Sequence, residues 1–484
     1  MITDELKYRI CEVMGMTPTQ EQETAIGVFC RFLINRDEQS VMLLRGCAGT
    51  GKTTLAAAIV RMLLSMQQKI VLLAPTGRAA MVFSLYAGHS AYTIHRRIYR
   101  QRSAGDMSAF NLNVNTLSDT LFIIDEASMI ANDGYGDSSF GSGRLLDDLI
   151  QFVYNGRNCR MMLIGDRAQL PPVGEEESPA LHSDFLSGYG LQVFDCDLNE
   201  VLRQSSESGI LYNATMIRMS ASEIDSFILP KIRLNCFADI RVVPGDELIE
   251  TMASSYSEVG LDETMVITRS NKRANIYNQG VRNMILGREE ELSSDDMLMV
   301  VRNNYFWDAP GNAKEDKQTE RKDNSGAFIA NGDRMRVRRI RNIRQLYGFR
   351  FADITVEFPD YEDYEVTATA LLDTLTADAP SLTGEQAEML YNNVMEDYAD
   401  IPQKPERLKR MKQDPYYNAL QVKFAYAVTC HKAQGGQWAH IYLDQGYMTE
   451  DMLSPEYYHW LYTAFTRASE KLFLVNWPKN QMED

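Results

Sequence analysis

Val41-Met-Leu-Leu-Arg-Gly-Cys-Ala-Gly-Thr-Gly-Lys-Thr-Thr54 is the stretch that decides how this chain is read. Apolar residues Val41 to Leu44 run into Gly46-x-x-x-x-Gly51-Lys52-Thr53, and a helix-forming run, Leu55 to Leu64, follows. Strand, glycine loop and helix in that order is the setting of a phosphate-binding loop. Glycines let the backbone curl until its N–H groups converge on phosphate oxygens. The pattern places Gly46, Ala48, Gly49, Thr50, Gly51, Lys52, Thr53 and Thr54 around a nucleoside triphosphate, expected to be ATP. Lys52 is expected against the β- and γ-phosphates, with the Thr53 hydroxyl on Mg²⁺.

Around that loop, 484 residues leave room for two to four domains. No apolar run has the length of a membrane span, and the first residues lack a signal peptide's order. Seven cysteines without metal-ligand spacing read as buried reduced thiols, which implies a cytoplasmic protein. A net charge of −17 argues on its face against a nucleic-acid partner. The charge is segregated, however. Arg334 to Arg350 holds seven Arg and no acid, whereas Phe351 to Asp400 holds thirteen Asp/Glu and no Lys or Arg. The basic strip is able to face a polyanion.

Upstream of the loop, Gln22 opens a helix after Pro18. Its amide suits an adenine edge, although an exposed helix glutamine is the plainer reading. Downstream, strand Lys69 to Ala74 ends in Pro75-Thr76-Gly77-Arg78, and ligands of open α/β sheets bind beyond such strand ends. His95 and Arg97 put further donors nearby. Residues 97–117 form an excursion from the core, either a surface loop or a small hairpin. Strand Thr120 to Ile124 delivers Asp125-Glu126-Ala-Ser128, with Asp125 expected on Mg²⁺ and Glu126 on the attacking water. Strand Cys159 to Ile164 ends in Gly165-Asp166-Arg-Ala-Gln169-Leu-Pro-Pro-Val173, whose prolines fix a turn that aims Gln169 as a γ-phosphate sensor. Arg203 offers either charge stabilisation or a plain salt bridge.

A second α/β unit begins near Ser205. Thr264 to Thr268 reads as a strand, and Ser270 caps the helix after it. Residues 307–325 read as a polar linker. In Arg334-Met-Arg336-Val-Arg338 strand alternation puts three guanidiniums on one face. The acidic stretch from Leu371 reads as helices with a solvated face. Val422 to Val428 reads as one strand entering Thr429-Cys-His431-Lys-Ala-Gln-Gly435, and a helix from Tyr457 carries Thr466-Arg467.

Taken together, Gly46 to Thr54, Ala74-Pro-Thr-Gly-Arg78, Asp125-Glu-Ala-Ser128, Gly165 to Val173, Val201-Leu-Arg-Gln204, Thr429 to Gly435 and Tyr462-Thr-Ala-Phe-Thr-Arg-Ala468 resemble the superfamily 1 helicases, in their RecD-like and Dda-like branch. The matches span Gln22 to Val475. The resemblance implies an α/β fold of two RecA-like domains with ATP between them. The first is expected over 1–205 with a strand-separating pin at 97–117. The second is expected over 206–333 and 422–484, with a small β-barrel-like insertion at 334–421. Lys52, Glu126, Gln169, Arg203 and Arg467 match the catalytic set, Arg467 as an arginine finger, and Gly435 is counted with the ATP contacts. Pro75, Thr76, His95, Thr429 and His431 match positions that track single-stranded DNA, joined by Arg97 and the Arg334, Arg336 and Arg338 face. The expected activity is 5′-to-3′ translocation and unwinding at single-strand/duplex junctions, in replication, recombination or repair. The stretch ahead of Gln22 is expected to be too short for a nuclease or relaxase domain, so a stand-alone helicase is expected rather than a RecBCD-type subunit; the chain is also expected to be monomeric, with replication or repair proteins as partners. An RNA-acting superfamily 1 helicase and a nucleic-acid-dependent ATPase that does not unwind are the rival readings.

Overall fold

The computed structural model describes residues 2–103, 106–133, 140–201, 207–221, 228–307, 329–361 and 364–483, without the side chains of 101–109. The chain forms two compact units. One comprises Met1–Ile98, Leu112–Pro244 and Ala433–Asp484, the other Tyr99–Asn111 and Gly245–Lys432.

The first unit is built on a six-stranded parallel sheet. Its spatial order is Ala91–Thr93, Lys69–Ala74, Thr120–Ile124, Arg160–Gly165, Ser40–Gly46, Gln192–Leu198. Parallel strands need crossover connections, so both faces are covered and the central strands are mostly apolar. Helices Ile2–Met14, Gln20–Ile34 and Lys52–Ser65 supply Ile10, Phe29, Phe32 and Ile59 to the core on one face. Arg45 is the one charge inside the Ser40–Gly46 strand. Its guanidinium is answered by Asp197, its register partner next door (Nε to Oδ1 2.7 Å), and by Asp195 (2.7 Å). The same unit holds a parallel trio, Ile240–Val243, Ala468–Val475 and Trp438–Asp444.

In the second unit Thr264–Thr268 pairs in parallel with Ala427–Thr429. Beside this pair, Met297–Val300, Arg334–Leu346, Phe349–Phe358, Tyr364–Leu371 and Leu420–Phe424 close into a barrel, which leaves no free sheet edge. The barrel therefore recruits Met297–Val300, upstream of Arg334. The acidic stretch contributes two helices, Gly384–Glu396 and Lys404–Met411. They bury Leu390, Val394 and Met411 against Phe349, Phe351 and Leu371, so one face is structural and the other solvated. The excursion at 97–117 is a hairpin, Tyr99–Ser103 with Asp106–Leu112.

One sequence expectation is corrected. Val422 to Val428 is not a single strand: the barrel strand ends at Phe424 and a new strand starts at Ala427. Buried Asn278 makes the corner. Its Oδ1 accepts from Tyr426 N (3.0 Å) and Ala427 N (2.8 Å), and its Nδ2 donates to Phe424 O (3.1 Å) and Ala427 O (3.0 Å). With parallel sheets flanked by helices, a hairpin and a closed barrel, the architecture is that of two RecA-like domains with insertions.

Candidate active site

The carboxyl ends of the first unit's strands converge on one edge. Gly46 leads into the loop, and Gly49 (φ +78°) and Gly51 (φ +79°) adopt the left-handed backbone that curls it. A Cβ on Gly46 would lie 2.9 Å from Leu198, Lys52 and Thr50 atoms, so no larger residue fits there. Lys52, the first residue of its helix, donates to Gly46 O and to Cys47 O (3.1 Å) and stands 3.8 Å from Asp166 Oδ2.

Gln22 is near the loop but does not stand open to a base. It is 1% exposed; its Oε1 accepts from Thr19 N (3.0 Å) in a capping box, and its Nε2 donates to Thr50 O (3.0 Å). The amide holds the loop to the Gln20–Ile34 helix. No surface pattern could have revealed this, because the carbonyl it meets belongs to a backbone 28 residues on.

Asp125 and Glu126 follow the central Thr120–Ile124 strand. Burial, and then the adjacent Glu126 charge, push the Asp125 carboxyl up to about 7. Glu126 sits at φ 51°, ψ 39°, a left-handed conformation that costs a side-chain-bearing residue on the order of 1–3 kcal/mol. Arg467 is brought to this pair from the far end of the chain, its Nη1 3.9 Å from Glu126 Oε1. Only 2% exposed, it is fixed by donating from Nε to Thr463 O (3.1 Å), from Nη1 to Gly436 O (3.1 Å) and from Nη2 to Thr466 Oγ1 (3.2 Å).

Gln169 is buried in the turn after Arg160–Gly165. Its Oε1 and the Ser128 hydroxyl are enclosed without a hydrogen-bond partner. Both border a cavity of about 20 Å³, enough for one water. Orphaned polar atoms of this kind each cost about 1–3 kcal/mol, and a ligand or a bound water relieves that cost. These orphans, the raised Asp125 carboxyl and the curled loop fit a nucleoside triphosphate with Mg²⁺. Thr53 and Asp125 would be the residues to hold such an ion, whose charge would offset that of the phosphates. Arg203 lies outside the described residues.

Several residues unassigned from sequence complete this edge. Tyr462 joins Ala48 N to Asp166, Thr463 Oγ1 accepts from Leu170 N (2.8 Å), and Gln434 Nε2 donates to Leu170 O (2.7 Å). They stand in the same motifs as Gly435 and Arg467, and only that proximity signalled them. Gly435 itself (φ +72°) lies where a Cβ would come within 2.9 Å of Ala79 and 3.1 Å of Thr76 Oγ1. The structure thus seats it at the Thr76 strand end.

The residues expected to meet a nucleic acid fall into separate groups. Thr76, after Pro75, caps the Gly77–Ala87 helix by accepting from Ala79 N (3.2 Å). His95 packs its ring against Phe140, and burial lowers its pKa to about 4, so it is neutral at pH 7; Arg97 is half-buried nearby on the same short helix. In the second unit Thr429 and His431 line a cavity of about 160 Å³ together with Lys423 and Lys432, two lysines that burial brings down to about 8. The Arg334, Arg336 and Arg338 face is ion-paired rather than open. Arg334 (3.3 Å) and Arg336 meet Asp262, and Arg338 meets Asp295 (3.2 Å) and Glu357. These carboxylates lie far away in sequence, so the strip reads as free when it is not. On the same strand Arg339 and Arg341 are exposed.

Two family models match the chain: an AAA domain over residues 33–175 and a UvrD-like helicase C-terminal domain over 424–475. An uncharacterised protein of Acanthamoeba polyphaga mimivirus is 22% identical over 91% of this chain and 96% of its own length. The ATP-dependent DNA helicase dda of Enterobacteria phage T4 is 23% identical over 58% of this chain and 60% of its own. The ATP-dependent RecD2 DNA helicase of Deinococcus radiodurans is 32% identical over 28% of this chain and 16% of its own. The chain therefore spans only part of the length of these two named helicases.

Proposed function

We propose that this chain belongs to the superfamily 1 helicases, in their RecD-like and Dda-like branch, and that it hydrolyses ATP to move 5′-to-3′ along single-stranded DNA and to unwind the duplex ahead of it. The observation that carries this reading is Arg467 beside Glu126 at the edge occupied by the phosphate loop. A protein that only bound nucleotide would need neither an acidic pair nor a guanidinium held at the reacting end.

In this reading the loop amides and Lys52 hold the phosphates. Glu126 takes the proton of the attacking water, which Gln169 Oε1 orients from the neighbouring small cavity. Arg467 offsets charge that develops on the transferred phosphoryl group. Bound Mg²⁺, on Thr53 and Asp125, would supply further charge stabilisation. The strand is met by Thr76 in the first unit and by Thr429, His431 and Lys432 in the second. The Tyr99–Ser103 and Asp106–Leu112 hairpin is the candidate pin. Unstacking a base pair costs a mean of about 1.4 kcal/mol, a small fraction of the free energy of ATP hydrolysis. No described helix is long and apolar enough to cross a membrane.

Hydrolysis should rise at least about tenfold on adding single-stranded DNA, measured as phosphate release. A rate indifferent to DNA would refute the motor.

A further inference from the structure

The Tyr462 side chain is 2% exposed, on the Pro455–Phe465 helix that leads to Arg467. Its hydroxyl accepts from Ala48 N (2.7 Å), an amide of the phosphate loop, and donates to Asp166 Oδ2 (2.6 Å). Asp166 is 1% exposed. Its Oδ1 accepts from Ala168 N (2.9 Å), and its Oδ2 also faces the Lys52 ammonium at 3.8 Å. One phenol thus sits between a loop amide and a buried carboxylate that competes for the loop lysine.

A phenol has a single proton to donate. A phosphate oxygen arriving at Ala48 N and Lys52 would meet the Tyr462 oxygen and the negative charge of Asp166. The contact becomes favourable when the hydroxyl turns its proton from Asp166 to the phosphate, a charge-assisted bond to a more highly charged acceptor. The same helix is tied to the Asp166–Leu170 turn by His459 Nδ1 at Ala168 O (2.9 Å) and by Thr463 Oγ1, which accepts from Leu170 N (2.8 Å). A turn of the hydroxyl therefore bears on the helix that positions Arg467 and on the turn that positions Gln169.

We propose that Tyr462 discriminates ATP from ADP: its hydroxyl donates to the terminal phosphate when that group is present and to Asp166 when it is not. It is a positioning residue for Arg467 and a specificity determinant for the nucleotide. The inference rests on the ATP-binding reading above.

The test is equilibrium binding of fluorescent ADP and of an imido-bridged ATP analogue to the full chain and to Tyr462→Phe, which keeps the buried ring. Affinity for the ATP analogue should fall about tenfold while affinity for ADP stays within about twofold. Equal weakening of both nucleotides, or of neither, would overturn the proposal. Should the variant not fold, 3-fluorotyrosine placed at 462 gives a second readout. Its ¹⁹F resonance should shift with the ATP analogue and not with ADP, and an identical response to both would also overturn the proposal. Failure of the unaltered chain to bind either nucleotide would refute the ATP reading itself.

Discussion

Arg467 is buried, donates from each of its nitrogens and still stands 3.9 Å from Glu126. Fixing a guanidinium in this way removes the reorganisation that a mobile side chain would need at the moment of reaction. Arg467→Ala should lower turnover by about 10³-fold or more, the range of arginine fingers in phosphoryl transfer, while ATP affinity changes only a few-fold. Steady-state hydrolysis and nucleotide binding on the same preparation check this; loss of binding would mean that the residue holds the nucleotide and does not serve the reaction. At this scale a side chain's place in the fold is legible where it is encoded in consecutive residues. Lys52, Asp125-Glu126 and Gln169 each follow an apolar strand, so their address is local. It is not legible where a partner is remote. Nothing in the sequence tells Arg334 that Asp262 is adjacent, or Gln22 that its amide will be used on Thr50 O.

Among the elements, the bend at Ala425-Tyr426 links the barrel to the strand entering Thr429 and His431, so its geometry sets where those two residues lie. Asn278 fixes that bend with four buried hydrogen bonds. Asn278→Ala would orphan four backbone groups and should destabilise the chain by about 2–4 kcal/mol, seen as a lower denaturant midpoint. A loss below about 1 kcal/mol would show that the corner is held by other contacts. The break was invisible in sequence because Val422 to Val428 is apolar on both sides of the bend. A buried barrel strand and a buried parallel strand carry the same signal. Met297–Val300 escaped notice as a barrel strand for a related reason. It is a short apolar run whose neighbour, Arg334–Leu346, follows only after a long polar segment. The phosphate loop and the strands that flank it were legible, because strand, glycine turn and helix follow one another without interruption.

For the whole molecule, a net charge of −17 coexists with a proposed polyanion partner. The barrel's arginines do not resolve that tension by forming an open strip, since Arg334, Arg336, Arg338, Arg344 and Arg350 are all paired with carboxylates. The proposed contacts to the strand are instead small groups: Thr76 at a strand end, the Thr429, His431 and Lys432 cavity, and exposed Arg339 and Arg341. The order of motifs along the chain carried the resemblance and, with it, the expectation of parallel sheets with a barrel-like insertion. It could not give which residues pack into which unit, because that depends on contacts between distant segments: Ala433–Asp484 packs in the unit that holds the phosphate loop. Directional strand separation driven by ATP is tested by unwinding of duplexes carrying a 5′ or a 3′ single-stranded tail, in DNA and in RNA. The proposed motor should unwind the DNA duplex with the 5′ tail when ATP is present. Preference for the 3′ tail or for RNA, or no unwinding of any tailed duplex, would contradict it.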